Sequence, residues 1–259
     1  MAELHTETMT VNMGPQHPST HGVRRLVLEL DGELVQSATP SIAYLHTGIE
    51  KTAEQKKWQQ VIPLVERMDY LAAQSNSLAY ALSVEKLLGL EMPQRVKDIR
   101  VLIAELQRIA SHLIWLGPHA MEIGAVSMLF YAIRERELLM NINELIAGFR
   151  FFPSYIRIGG LREDLPRGFH EALNAFLDRF PKKVDEYEGL LSKNDTFMRR
   201  TQGVGVISQE DAFAWGQLGP IACASGWNYD VRKYFPYSGY ETYDFEVPRA
   251  AEGDVYARY

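Results

Sequence analysis

A single cysteine, Cys223, is all the thiol chemistry in these 259 residues, so no disulfide closes within the chain and no iron-sulfur cluster hangs on its own thiolates. Positive charge is also short. With 27 Lys and Arg against 33 Asp and Glu, the net charge of −6 leaves no basic footprint for a nucleic acid partner. Long apolar runs are missing too. The nearest approach, Leu113 to Ile133, carries Gly117-Pro118, His119 and Glu122, groups that are costly at bilayer depth, so it reads as a buried soluble segment and not a transmembrane helix. The polar stretch Ala2 to Thr10 lacks the apolar core of a signal peptide, and with the lone cysteine it predicts a reducing, cytoplasmic-side setting. There is no internal repeat, low-complexity tract or obvious linker, and a hydrophobic content of 46% suits a packed core.

The patterns that remain predict an α+β fold: a small N-terminal antiparallel sheet followed by a helical-bundle core. Three regions are expected: a β-rich 1–66 carrying a histidine loop, a bundle over 67–202, and an irregular Tyr/Gly-rich tail with short strands over 203–259. Thr8 to Asn12 and Leu26 to Leu30 alternate in the strand manner, with Asp31-Gly32 as a tight turn. From Met68 the period becomes helical through Leu71, Leu78, Leu82 and Leu88, and Gly89 suits its end. The clearest amphipathic helix runs through Ile99, Leu102, Ile103, Leu106, Ile109, Ala110 and Leu113, with Pro93 in its first turn and Gly117-Pro118 as its stop. A third helix is expected from about Ala120 to Ala147, closing at Gly148 and holding Glu122 in its first turn. An extended run at Tyr155 to Ile158 turns at Gly159-Gly160, and Phe169, Leu173, Phe176, Phe180, Val184, Tyr187 and Leu191 trace a fourth helix bent at Pro181.

The densest potential chemistry lies in Gly14-Pro-Gln-His-Pro-Ser-Thr-His-Gly22. Pro18 and Gly22 argue against a helix, which makes His17 and His21 loop imidazoles able to give a proton near neutral pH. Solvated loop histidines are the plain alternative. Zinc binding is a sharper one, weakened because neither helix nor glutamate lies between the pair.

Further groups gain meaning from their order: His46-Thr47-Gly48-Ile49-Glu50-Lys51, Arg67-Met68-Asp69-Tyr70-Leu71, Arg134-Glu135-Arg136-Glu137, Arg157-Ile158-Gly159-Gly160, Ala224-Ser225-Gly226, Tyr229-Asp230-Val231-Arg232-Lys233 and Tyr237 to Tyr243. In this order the chain resembles the D subunits of bacterial NADH:quinone oxidoreductase, counterparts of the 49 kDa subunit of respiratory complex I, over nearly every residue from Met9 on. Members normally continue well beyond the position of Tyr259, so a C-terminal part of the family is expected to be lacking. That family resembles the large subunit of nickel-iron hydrogenases, which holds its metal with two pairs of cysteines. With Cys223 alone, thiolate ligation of nickel is excluded here by residue type.

The resemblance implies that the old metal cavity has become a quinone-headgroup pocket. Electrons would come from an iron-sulfur cluster in a neighbouring subunit, with NAD bound elsewhere in the complex and neither ligated by this chain. His21 and Tyr70 match the family's headgroup residues. An imidazole is the easier proton source, and a phenol is the group whose anion most needs stabilising. Glu122 stands where the family has an aspartate thought to hydrogen-bond the histidine; the extra methylene puts that contact in question. Arg67 and Arg157 fall in shared motifs where guanidiniums could stabilise added electron density or pair with acids of the partner, or simply form surface ion pairs.

The Tyr-rich segment from Tyr234 suits a subunit interface. Implied partners are the cluster-bearing B subunit, the C subunit, a quinone-channel membrane subunit and quinone itself, placing the chain peripherally on the cytoplasmic side of the bacterial inner membrane. Two other readings are a non-catalytic assembly scaffold of the same complex and a metallohydrolase built on His17, His21 and a carboxylate such as Glu50.

Overall fold

Alternating side chains at the start of the chain pair as strands, and the computed structural model, which describes residues 8–18 and 22–259, shows how. Strands β1 (Met9–Met13), β2 (Arg25–Asp31) and β3 (Leu34–Ser41) form one antiparallel sheet in the order β1-β2-β3. Asp31 pairs with Leu34 across a tight turn in which Gly32 takes a φ of 61°. A short helix, α1 (Ile49–Ala53), follows. The described residues fall into two compact units dividing after Gln55, and the buried apolar side chains all belong to the second, from Val61 onward.

The second unit begins with α2 (Trp58–Val65) and α3 (Ala73–Leu88). Gly89 ends α3 in the left-handed conformation at φ 66°, as its place after the apolar stripe predicts. Next come α4 (Gln94–Glu122) and α5 (Val126–Ala147), the most extensive helix pair in the molecule. The two-residue strands β4 (Ile156–Arg157) and β5 (Gly160–Leu161) pair as a hairpin across the expected turn at Gly159-Gly160, and α6 (Phe169–Leu191) carries the fourth apolar stripe. The main core joins Ile103, Leu113, Met128, Leu139, Phe169 and Phe176 from α4, α5 and α6.

Gly117-Pro118 does not end the second bundle helix. Helix α4 runs through both residues to Glu122, and the chain turns at Gly124, whose φ is 111°. Proline inside a helix loses one ladder hydrogen bond and crowds the residue before it, and glycine, having no Cβ, meets that crowding most easily. Gly117 also serves the packing. A Cβ there would lie 3.2 Å from the Ala132 Cβ and 3.3 Å from the Leu129 Cα, so its bareness lets α4 and α5 approach closely.

After α7 (Asp195–Thr201), the tail forms short helices where strands were expected: α8 (Gln209–Ala214), α9 (Gly219–Ala224), α10 (Val231–Tyr234), a 3-10 turn at Tyr240–Thr242, and α11 (Val255–Arg258). Side-chain caps explain several of them. Ser208 accepts from the Asp211 amide, Asp230 from the Arg232 amide and Asp254 from the Ala257 amide. The tail is also fastened to α4. Glu105 accepts from the Tyr240 hydroxyl at 2.5 Å, Arg232 at 3.1 Å and Arg108 at 3.1 Å. Burial alone would raise the Glu105 carboxyl, but Tyr240, Arg108 and Arg232 together hold it below its ordinary range.

A buried ion pair locks the hairpin to the bundle. Arg100 of α4 and Glu85 of α3 have side chains 0% and 4% exposed and pair through two bonds of 2.8 and 2.6 Å. Arg100 also donates to the carbonyls of Arg157 and Gly160, while the Gly159 amide donates to Glu85 at 2.8 Å. Arg100→Met, which strands a buried carboxylate, is expected to cost about 3–5 kcal/mol in urea unfolding, with the double change Arg100→Met, Glu85→Met recovering much of it. Gly117→Val is expected to cost about 1–3 kcal/mol by overpacking the α4–α5 crossing, read the same way.

Candidate functional site

The turn between α2 and α3 presents Tyr70. Asp69 accepts the Leu71 amide on its own Oδ1 at 3.1 Å, and its carbonyl takes both the Ala72 amide at 3.0 Å and the Asn76 side chain at 3.1 Å. On the other side of Tyr70, Gln107 of α4 donates to the Leu71 carbonyl at 2.6 Å. Both neighbours of the tyrosine are therefore tied to helices. Tyr70 itself is 50% exposed, and its hydroxyl makes no hydrogen bond to another described residue. A pinned backbone under an unengaged phenol is an arrangement that can offer a hydrogen bond outward at little reorganisation cost.

Beside this turn the backbone is held by a buried carboxylate. Glu66 is fully buried and accepts from Ser77 Oγ at 3.1 Å, the Ser154 amide at 2.7 Å and Ser154 Oγ at 2.7 Å. Ser154 has a φ of 43°, a left-handed conformation that costs a non-glycine residue energy and persists here because Glu66 takes both of its donors. The next residue of the turn, Arg67, lays its guanidinium over the Phe152 ring at 4.5 Å and donates to the Pro63 carbonyl.

Arg67 and Arg157, separated by ninety positions in the chain, do meet in one groove of about 630 Å³, together with Arg150, Arg162, Phe149, Phe151 and Phe152. Arg157 donates to the Ser154 carbonyl at 2.7 Å and Arg162 to the Ala147 carbonyl at 2.9 Å. Arg150 pairs with Glu144 at 2.9 Å and with Glu137. The sequence pattern did not reveal this groove; its one signal was the cationic and aromatic run Arg150-Phe151-Phe152 just before the extended segment.

The other expected site residues are placed differently. His21 lies outside the described residues. His17 is exposed in the loop after β1, and Glu50 sits in α1; both belong to the first unit. No group of three metal-binding side chains occurs among the described residues. Glu122 is the exposed last residue of α4, not a first-turn acid of the following helix, so the helix dipole there opposes its charge where it was expected to favour it. Neither Tyr70 nor Glu122 lines the arginine groove. Among the described residues no helix is long and apolar enough to cross a membrane.

His119 attracts notice because burial pushes its imidazole below the ordinary 6.5. Its surroundings are apolar: Trp115 stacks on it at 5.0 Å, Phe197 meets it edge-on at 6.4 Å, and its buried Nε2 has no partner among the described residues. This histidine packs as a neutral aromatic. Between its folded and unfolded values the unfolded chain binds the extra proton, so stability present above pH 6.5 is lost as the pH falls through that value. Urea midpoints measured from pH 7.5 down to 5.5 are expected to fall less steeply in His119→Phe than in the parent.

The sequence profile of the family described as "Respiratory-chain NADH dehydrogenase, 49 Kd subunit" matches residues 122–259. The chain is 56% identical over 254 residues to the D 2 subunit of an NADH-quinone oxidoreductase of Chloroflexus aurantiacus, covering 98% of this chain and 62% of that relative. It is 55% identical over 253 residues to the D 2 subunit of a Roseiflexus species, covering 98% and 61%. With the D subunit of Geotalea uraniireducens the identity is 54% over 254 residues, covering 98% and 65%. The chain thus spans about three-fifths of the length of the curated relatives it matches.

Proposed function

The chain belongs to the 49 kDa subunit family of respiratory-chain NADH dehydrogenases, and from that membership we propose that it serves quinone reduction in a proton-translocating NADH:quinone oxidoreductase. The observation that carries the reading is Tyr70, a half-exposed phenol with no described partner on a turn braced from both sides. Reducing a quinone to a quinol adds two electrons and two protons, and each carbonyl oxygen gains negative charge that a donor must meet. Tyr70 donates to one of these oxygens. His21 is assigned the second donor role, and Glu122 is assigned to orient that imidazole and favour its charged form.

The electrons are supplied by an iron-sulfur cluster when the cluster-bearing B subunit is bound. Arg67 and Arg157 face that neighbour, and the exposed tyrosines Tyr234 and Tyr243 contribute to contacts between chains, whereas Tyr240 is spent inside on Glu105. The C subunit and a quinone-channel membrane subunit complete the neighbourhood. The chain sits peripherally on the cytoplasmic side of the bacterial inner membrane, and NAD binds in another subunit.

Tyr70→Phe removes one oxygen atom and leaves the braced turn intact. In the assembled complex it is expected to lower quinone reductase turnover by roughly 100-fold or more, as is His21→Ala, since a placed proton donor is worth about that much. Wild-type turnover in both variants, with no photo-label from a quinone analogue near Tyr70, would leave the chain as an assembly scaffold.

A further inference from the structure

Two of the cations around the groove are held in an unusual way. Arg136 of α5 places its guanidinium over the Phe151 ring at 5.3 Å, Phe151 meets Phe152 edge-on at 4.7 Å, and Arg67 lies over Phe152 at 4.5 Å. The result is a clip of cation, ring, ring and cation assembled from the turn after α2, from α5 and from the segment that leads into β4. Aromatic faces hold the two guanidiniums in place without consuming their N–H edges, of which Arg67 spends one on the Pro63 carbonyl.

Carboxylates do not answer these charges from within. Among the described residues neither Arg67 nor Arg136 forms an ion pair, and the Arg136 Nε is buried without a hydrogen-bond partner, whereas neighbouring Arg150 holds both Glu137 and Glu144. Burial lowers the Arg136 guanidinium, with Glu137 pulling the other way. The groove lining sets four arginines against Glu144 in a chain whose net charge is −6, so this patch stands against the sign of the whole molecule. Phe149 is 58% exposed and Phe151 37%, and this mixture of arginine with open aromatic rings is what protein interfaces use at their centres.

We propose that the clip receives an acidic segment of the neighbouring subunit, one carboxylate closing on Arg67 and a second on Arg136, with apolar atoms between them covering the phenylalanines. A protein segment fits better than a small anion because a lone phosphate would leave the rings exposed to water. The inference rests on the assignment of this face to a partner subunit and adds the chemistry of that partner.

Arg67→Lys and Arg136→Lys keep the charge and install an amine that carbodiimide joins to a carboxylate at contact distance. In the assembled complex each variant is expected to gain a crosslink, absent from wild type, that mass spectrometry maps to an Asp or Glu of another chain. Phenylglyoxal labelling of the unmodified complex gives a second readout that needs no variant: Arg67 and Arg136 are expected to be protected until chaotrope strips the neighbour away. Crosslinks only to Glu137 or Glu144 of this chain, free labelling of both arginines in the intact complex, or anionic lipid lost in Arg136→Ala without any protein crosslink would each overturn the proposal. Quinone turnover of Tyr70→Phe is a separate measurement, so failure of the clip and failure of the functional reading can be told apart.

Discussion

The Arg100–Glu85 pair is the constraint on which the rest of the second unit depends. Two charges removed from water repay their desolvation only through close, fully bonded geometry, and here the geometry is completed by backbone of the β4–β5 hairpin. One guanidinium fixes α3, α4 and the hairpin relative to one another. The hairpin then carries Arg157 to the groove, and Glu66 anchors the same segment again through Ser154. The cationic face therefore stands on buried carboxylates that never reach the surface.

Helix α4 is the spine to which the other parts are referred. Its Gln107 braces the Tyr70 turn, its Glu105 gathers Tyr240 and Arg232 from the tail, and its Gly117 admits α5. All three attachments lie on the N-terminal side of Pro118, so they share one uninterrupted run of helix.

Much of the framework was legible in the sequence because it follows from period and from glycine. The stripes of α3 and α6, the Gly89 and Gly148 ends and the turn at Gly159-Gly160 need only local information. Gly117-Pro118 misled because the same dipeptide that stops an isolated helix can, once a neighbour packs on the bare glycine, stay inside one. Because α4 continues past the proline, Glu122 stands at its end and not in the first turn of the helix after it. The tail looked like strands because its glycines and tyrosines outweighed three capping residues, Ser208, Asp230 and Asp254. Of the site, Tyr70 came from family likeness and not from its pattern. The arginine groove was invisible because it joins positions near 67, 150 and 157 that only the tertiary fold brings together.

Ser154 and Glu66 carry a consequence for how this protein can drift. Glu66 accepts in every bond it makes here, so an amide at position 66 would set its N–H groups against the Ser154 amide or against a serine hydroxyl that would have to turn and accept. Without the carboxylate the serine loses its reason to hold a φ of 43°, and without the serine hydroxyl the buried carboxylate keeps the Ser77 hydroxyl and the amide of residue 154 on one oxygen and no donor on the other. Positions 66 and 154 thus restrain one another's substitution across 88 positions of chain, although neither needs to reach the surface.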